Sequence, residues 1–124
     1  MKKLPVLFVT IILFLLISFA YSQGSGEAAK IHFLISTVET MNGAKFIRNG
    51  KAYDTTRAAN HLRLKLKTAG DRVKTADDFL RVCASKSWVS GQPYQIRFSD
   101  GSTVESSVFF RNKLKEFPNP PFHP

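Results

Sequence analysis

Apolar residues recur at helical spacing in the first predicted helix of the chain. From Glu27 onward they follow the i, i+3, i+4, i+7 pattern of a helix with one buried face, and Asn42-Gly43 supplies an end signal. The face predicted to be buried comprises Ile31, Leu34, Ile35, Val38 and Met41.

A second helix is predicted to begin near Asp54 or Thr55, either of which can cap its free amides, and to end at Gly70. Its inner face is predicted to hold Ala58, Leu62, Leu66 and Ala69, with Leu64 on the flank. The wetter sides are predicted to carry Arg57, Arg63, Lys65 and Lys67. This helix is therefore expected to be apolar on one side and basic on the others.

Two further helices follow. The segment from Thr75 to Asp78 resembles a capping box with Asp in place of Glu, and the helix after it has one apolar stripe. That stripe consists of Ala76, Phe79, Leu80 and Cys83. Ser106 or Ser107 can cap the last helix. Its predicted buried residues are Phe110, Leu114 and Phe117.

Extended structure is predicted in two places. Residues 45–50 form a short extended segment that runs into a turn, because Asn49-Gly50 accepts the positive φ angles of tight turns. Apolar and polar residues alternate over residues 94–98, and a turn at residues 99–102 leads to a returning strand over residues 103–105. The prediction is a helix-dominated α+β fold, about four helices packed with one small β-hairpin, in a single domain over residues 27–117.

The N-terminal segment has the pattern of a secretory signal peptide. Lys2 and Lys3 precede an apolar run over residues 4–20, and the small residues Ala20 and Ser22 suit a signal peptidase. Cleavage after Ser22 is predicted to leave a periplasmic or secreted chain without a stable membrane span. An uncleaved anchor is the alternative, although the run is shorter than the about 20 apolar residues of a spanning helix. Residues 118–124 are predicted to be an extended Pro-rich tail.

The basic composition adds a prediction about partners. The chain has 18 Lys and Arg against 9 Asp and Glu, a formal net charge of +9. Since export would remove it from cytoplasmic nucleic acid, we expect an anionic envelope component, such as acidic polysaccharide, lipid headgroups or phosphate-bearing polymers, or another exported protein. A generally basic surface without a partner is the alternative. The predicted basic surface consists of Lys45, Lys51, Arg57, Arg63, Lys65 and Lys67.

Reactive and metal-ligating residues are sparse. Cys83 is the only cysteine, which precludes an internal disulfide, and its place on an apolar stripe predicts burial. The histidines His32, His61 and His123 are far apart in sequence and no C-x-x-C occurs, so no metal site or cofactor is predicted. Asp77 and Asp78 point about 100° apart on a helix, which favours capping over acid–base chemistry.

Several spaced motifs together resemble the YfeK-like family of small exported bacterial proteins, a domain of unknown function. They are FIRNG at residues 46–50, HLRLKL at 61–66, Thr75-Ala76 with Phe79, ASKS at 84–87 and SGQPY at 90–94. The resemblance covers about residues 27–117 and implies a bacterial periplasmic or secreted location. It implies no activity.

One departure from the family pattern predicts a contact. The resemblance implies a cysteine two residues before the phenylalanine of the R-N-G motif and another at the end of the strand after S-G-x-P-Y. Here these positions hold Ala44 and Phe98. Because both cysteines are absent together, we expect the two positions to be neighbours in the fold.

Polar residues on predicted loops and loop edges are the candidate binding site. They are Arg48, Asn49, His61, Ser87, Ser90, Gly91 and Tyr94. Arg48 can pair with a carboxylate or phosphate, and free amides around Gly91 can add donors. The alternative is structural, in which Asn49-Gly50 serves its turn and Arg48 and His61 hydrogen-bond loop carbonyls.

The function predicted from these features is a small exported binding or accessory module without catalysis. The alternative from another class is a small hydrolase or transferase that uses His61 with Cys83 or a serine. Inhibition of a secreted enzyme is a third interpretation that the sequence does not separate from the first.

Overall fold

The computed structural model describes residues 26–117, which form four α-helices and one four-stranded antiparallel sheet. The elements are α1 over residues 26–39, β1 (Lys45–Arg48), β2 (Lys51–Tyr53), α2 (Thr55–Ala69), α3 (Ala76–Val82), β3 (Gln95–Arg97), β4 (Thr103–Glu105) and α4 (Ser106–Lys115), with a 3-10 turn at Gly70–Arg72 after α2. The predicted α+β class with four helices is confirmed. Within residues 26–117 no helix combines the length and apolarity needed to cross a membrane.

The sheet is larger than the one hairpin predicted. Its strand order is β2-β1-β3-β4, so that β1 pairs with both β2 and β3. Asn49 and Gly50 have φ of 51° and 75° and join β1 to β2, as expected for a two-residue hairpin turn. The strand β2 was not predicted because its three residues are too few for an alternating pattern.

The predicted apolar faces form a single core between the helices and one face of the sheet. Phe46 and Ile96 contribute from the paired strands β1 and β3, and each predicted buried residue of α3 lies in this core. In α4 the buried pair is Phe109 and Phe110, whereas Leu114 is only partly buried. The prediction missed Phe109, which packs against Phe98 with ring centroids 6.1 Å apart.

The helix ends largely confirm the predicted caps. The Asp54 carboxylate accepts a hydrogen bond from the Arg57 amide at 2.8 Å, and Thr75 and Asp78 form the reciprocal capping box. The prediction for α4 was wrong, because the side chain of Ser106 caps nothing. Its buried hydroxyl instead donates to the Ala84 carbonyl at 2.6 Å, so the serine ties the start of α4 to the end of α3.

The positions predicted to be neighbours lie opposite each other. Lys45 pairs with Arg97, and extending that antiparallel register by one residue places Ala44 opposite Phe98. The register continues further, because a Cβ built on Gly43 would lie 3.0 Å from the Cβ of Ser99.

Candidate functional site

Two adjoining pockets lie where β1, α2 and the segment after α3 meet. One, of about 190 Å³, lies beside Tyr53 and Arg57, and the other, of about 170 Å³, lies beside Lys65 and Trp88. They share Arg48 and His61, and we call them together the Arg48 cleft. Alternation along β1 directs Arg48 to the same face of the sheet as Phe46, and helical spacing directs His61 and Lys65 to one side of α2.

Lys65 is the least expected member of the cleft. The sequence predicted it on a wetter side of α2, but that prediction was wrong, because only 3% of the residue is exposed. The reason is its position, since Lys65 continues the buried stripe of Leu62 and Ala69 at helical spacing. Its ammonium donates to the Lys86 carbonyl at 3.0 Å and to the Tyr94 hydroxyl at 2.9 Å.

Aromatic rings surround the rest of the Lys65 ammonium. Its nitrogen lies 4.6 Å from the centroid of the Trp88 ring and 4.8 Å from that of Tyr94. His61 reaches the same hydroxyl, with Nε2 at 3.3 Å from the Tyr94 oxygen. Tyr94, which is 1% exposed, therefore connects the lysine and the histidine.

The electrostatics of the cleft are one-sided. Burial lowers the pKa of Lys65 to about 8, opposed by the nearby Cys83 and assisted by the Arg48 charge. Burial and then the Arg48 and Lys65 charges lower the pKa of His61 below its ordinary value. Among the described residues, no carboxylate lines either pocket. The positive charges of the cleft therefore have no negative counterpart there.

Arg48 carries a second indication of an incomplete site. Its Nε is a buried donor with no hydrogen-bond partner among residues 26–117. Buried polar atoms are nearly always paired, and an unpaired one calls for a specific explanation. Since Arg48 lines both pockets, a group that enters the cleft can reach its guanidinium.

The other candidate residues lock the loops to each other. The Asn49 side chain donates to the Ser87 hydroxyl at 3.3 Å and accepts from the Ser90 hydroxyl. The amides expected to be free near Gly91 are already used, because Gly91 donates to the Ser87 carbonyl and Gln92 to the Ser90 hydroxyl. At Asn49, Ser87, Ser90 and Gly91 the geometry supports the structural interpretation.

The predicted basic surface is divided among different parts of the molecule. Arg63 forms a two-bonded ion pair with Glu39 of α1, at 2.6 and 3.1 Å. Lys51 and Arg57 both lie over the Tyr53 ring at the cleft, 5.7 and 5.4 Å from its centroid. Lys67 is exposed on α2 and Lys45 is exposed on β1. Arg63 is therefore neutralised by a carboxylate, and Lys51 and Arg57 belong to the cleft.

Sequence reasoning missed Trp88, the only tryptophan of the chain. Its ring lies at the cleft with 45% of the residue exposed, and its indole N–H donates to the Val82 carbonyl at 2.7 Å. The guanidinium of Arg72 also lies over the ring, 5.3 Å from its centroid. The available signal was the apolar pair Trp88-Val89 between the polar loop residues Ser87 and Ser90.

Nucleophilic and metal chemistry find little support in the described residues. Cys83 is fully buried, lines neither pocket, and has its pKa raised by burial. A nucleophilic role for Cys83 with His61 therefore has no access for a substrate. Among residues 26–117 no three His, Cys, Asp or Glu side chains come together to hold a metal ion.

Comparisons with known proteins agree with the motif pattern. A family model described as a family of unknown function, DUF5329, matches residues 25–118. The chain is also 37% identical over 68 residues to the uncharacterized protein YfeK of Salmonella typhimurium strain LT2. That match covers 55% of this chain and 57% of the Salmonella protein. No solved structure matches the chain.

Proposed function

The chain belongs to the DUF5329 family of unknown function, and from this premise we propose that it is an exported, non-catalytic binding module whose Arg48 cleft holds an anionic group of its ligand. The observation that carries the proposal is the convergence of Arg48, His61 and Lys65 on two pockets without a carboxylate. A carboxylate, sulfate or phosphate group would supply the negative charge and the acceptor oxygens that the two pockets lack.

Energetics support a binding role for Lys65. Burial of a cation without an anionic partner costs several kcal/mol, as its lowered pKa reflects. Sites that keep such a cost are characteristic of function, because an apolar residue there would be more favourable for folding alone. A bound anion would interact with the charge that the fold leaves uncompensated.

Arg48 is proposed as the residue that orients the ligand. Its planar guanidinium can donate two parallel hydrogen bonds to one carboxylate or phosphate, and the fold leaves its buried Nε without a partner. In this role Arg48 contacts the ligand, and the locked loop around Asn49 and Ser87 fixes the strand end from which it projects.

Export is part of the proposal and rests on the charged and apolar pattern of residues 1–22. It gives the module an envelope component, or another exported protein, as its partner. Amino-terminal sequencing of protein recovered from the periplasm or medium should start at Gln23. Recovery of the full-length chain only in the membrane fraction would contradict cleavage.

Anion binding is tested by titrating the protein with inorganic phosphate and sulfate, followed by calorimetry or amide chemical shifts. Arg48→Met should weaken binding by about tenfold or more, since a charge-assisted hydrogen bond contributes roughly 1.5–3 kcal/mol. Arg97→Met is the matched control, because Arg97 is exposed on β3 and lines neither pocket. Equal affinities for the wild type and both variants would refute the proposal.

A further inference from the structure

An apolar rim surrounds the mouth of the Arg48 cleft on the Lys65 side. It consists of Leu64, Trp88 and Val89, which are 61%, 45% and 87% exposed and line the same pocket as Lys65. Among residues 26–117 the only other exposed large hydrophobic residue is Val108, on α4. Exposed apolar side chains are thus concentrated around a cationic pocket.

We propose that this surface docks on an anionic phospholipid membrane, with the lipid phosphate in the Arg48 cleft and the apolar rim inserted among the headgroups. The inference rests on the proposed anion-binding function and adds the class of ligand to it. A phospholipid joins an anionic phosphate to apolar chains, so it complements a cationic pocket with an apolar mouth.

The polar atom of the rim already has a hydrogen-bond partner, which lowers the cost of moving the rim into a less polar environment. The indole N–H of Trp88 is already bonded to the Val82 carbonyl, so the ring can leave bulk water without an unpaired donor. Tryptophan is enriched at membrane–water interfaces because its ring is amphipathic. Arg72 and Lys65 lie over the same ring and hold it in place.

Charge around the rim favours an anionic surface. Lys67 lies one helical turn beyond Leu64, Arg72 lies over Trp88, and Lys86 precedes Trp88 by two residues. None of these three is in an ion pair within the described part of the chain. The segments that carry the rim, residues 64–72 and 84–94, contain one acidic residue, Asp71. Basic residues near an anionic membrane surface each favour binding.

A protein partner fits these observations less well. A stable protein interface takes about 20–30 residues from each side, whereas the rim has three apolar residues around a small pocket. The test therefore measures binding to phospholipid vesicles, and a protein partner is one of the outcomes that would overturn the inference.

The single tryptophan makes the test direct, because the fluorescence of the full chain reports on Trp88 alone. Vesicles of phosphatidylglycerol mixed with brominated phosphatidylcholine should quench this emission. Vesicles of brominated phosphatidylcholine alone should not. Quenching by bromine requires contact with the lipid chains, so the N-terminal apolar segment cannot produce it by binding elsewhere.

Variants separate the rim from the cleft. Leu64→Gln combined with Val89→Ser should raise the phosphatidylglycerol concentration needed for half-maximal quenching of Trp88 about tenfold through lost apolar contact, and should reduce sulfate binding much less, since neither side chain carries a charge. Val108→Ser, an exposed valine outside the rim, is the matched control and should bind vesicles normally. Arg48→Met should weaken both the quenching of Trp88 and sulfate binding by about tenfold or more.

The outcomes distinguish this inference from the proposed function. If sulfate binds but phosphatidylglycerol vesicles leave Trp88 unquenched, the membrane inference fails and a soluble anion or an acidic protein remains as ligand. Equal quenching by neutral vesicles would also overturn it, because the cleft would then play no part. If the wild type binds no sulfate and its Trp88 is not quenched by phosphatidylglycerol vesicles, the anion-binding function itself is refuted.

Discussion

Replacing Lys65 by methionine should change how the stability of the protein depends on pH. Methionine has a similar length and no charge, so the variant keeps much of the packing and removes the buried ammonium. The pKa of Lys65 falls from 10.5 to about 8 in the folded protein. At about 1.4 kcal/mol per pH unit, the difference corresponds to about 3 kcal/mol.

The direction in which the free energy of unfolding changes with pH follows from the protons bound by the folded and unfolded states. Between about pH 8 and pH 10.5 the unfolded chain holds a proton on Lys65 that the folded protein has largely lost. The free energy of unfolding of the wild type therefore rises with pH in this range. Below pH 8 both states are protonated and the full cost of burial remains. Relative to Lys65→Met, the wild type should gain about 2 kcal/mol between pH 7 and pH 9.5.

The assay is urea unfolding followed by circular dichroism at a series of pH values. The difference at one pH also contains the lost hydrogen bonds to Lys86 and Tyr94, so the slope is the diagnostic quantity. The pKa of Cys83 is raised by burial and lowered by Lys65, so both proteins should carry Cys83→Ala. Lys67→Met, at an exposed site on α2, should run parallel to the wild type. Parallel profiles for Lys65→Met as well would refute the account of Lys65 as a buried cation.

Two further predictions follow from the same geometry. Ala44→Cys with Phe98→Cys should form an intramolecular disulfide. The oxidised variant should be more stable than its reduced form by up to about 4 kcal/mol, because the disulfide closes the loop over residues 44–98. Free thiols at these two positions in a mass spectrum of the oxidised protein would contradict the register. Sulfate affinity should fall as pH rises above about 8, where Lys65 loses its charge, and should increase in acid, where His61 becomes charged. Calorimetry in buffers of different ionisation enthalpy should show that the protein takes up a proton when it binds sulfate above pH 8. A pH-independent affinity would exclude both side chains from the site.

The sequence predicted the helices well because their signals are local. The stripe of Ile31, Leu34 and Val38 and the capping box at Thr75 depend on residues within one or two turns of each other. The strand order could not be predicted, because the pairing of β1 with β3 joins segments about 50 residues apart and short strands carry little pattern.

The candidate site was predicted in part, and its errors have a physical origin. Arg48, His61 and Tyr94 were predicted as polar residues on loops or loop edges, and they do meet in the structure. Lys65 was assigned to solvent by its charge, although its helical position placed it on the buried stripe. Trp88 joins the cleft only because the chain after α3 folds back over α2, which no local pattern specifies.

The origin of the Lys65 contacts bears on the order of folding events. Arg48 and His61 lie in one continuous β1-β2-α2 unit, whereas Lys65 bonds to groups 21 and 29 residues further along the chain. Local units form before distant segments close on them. We therefore expect the ammonium to stay hydrated until residues 86–94 dock, and its burial to follow the transition state of folding. The uncompensated charge should act mainly by speeding the opening of the finished protein, with little effect on the rate at which it forms.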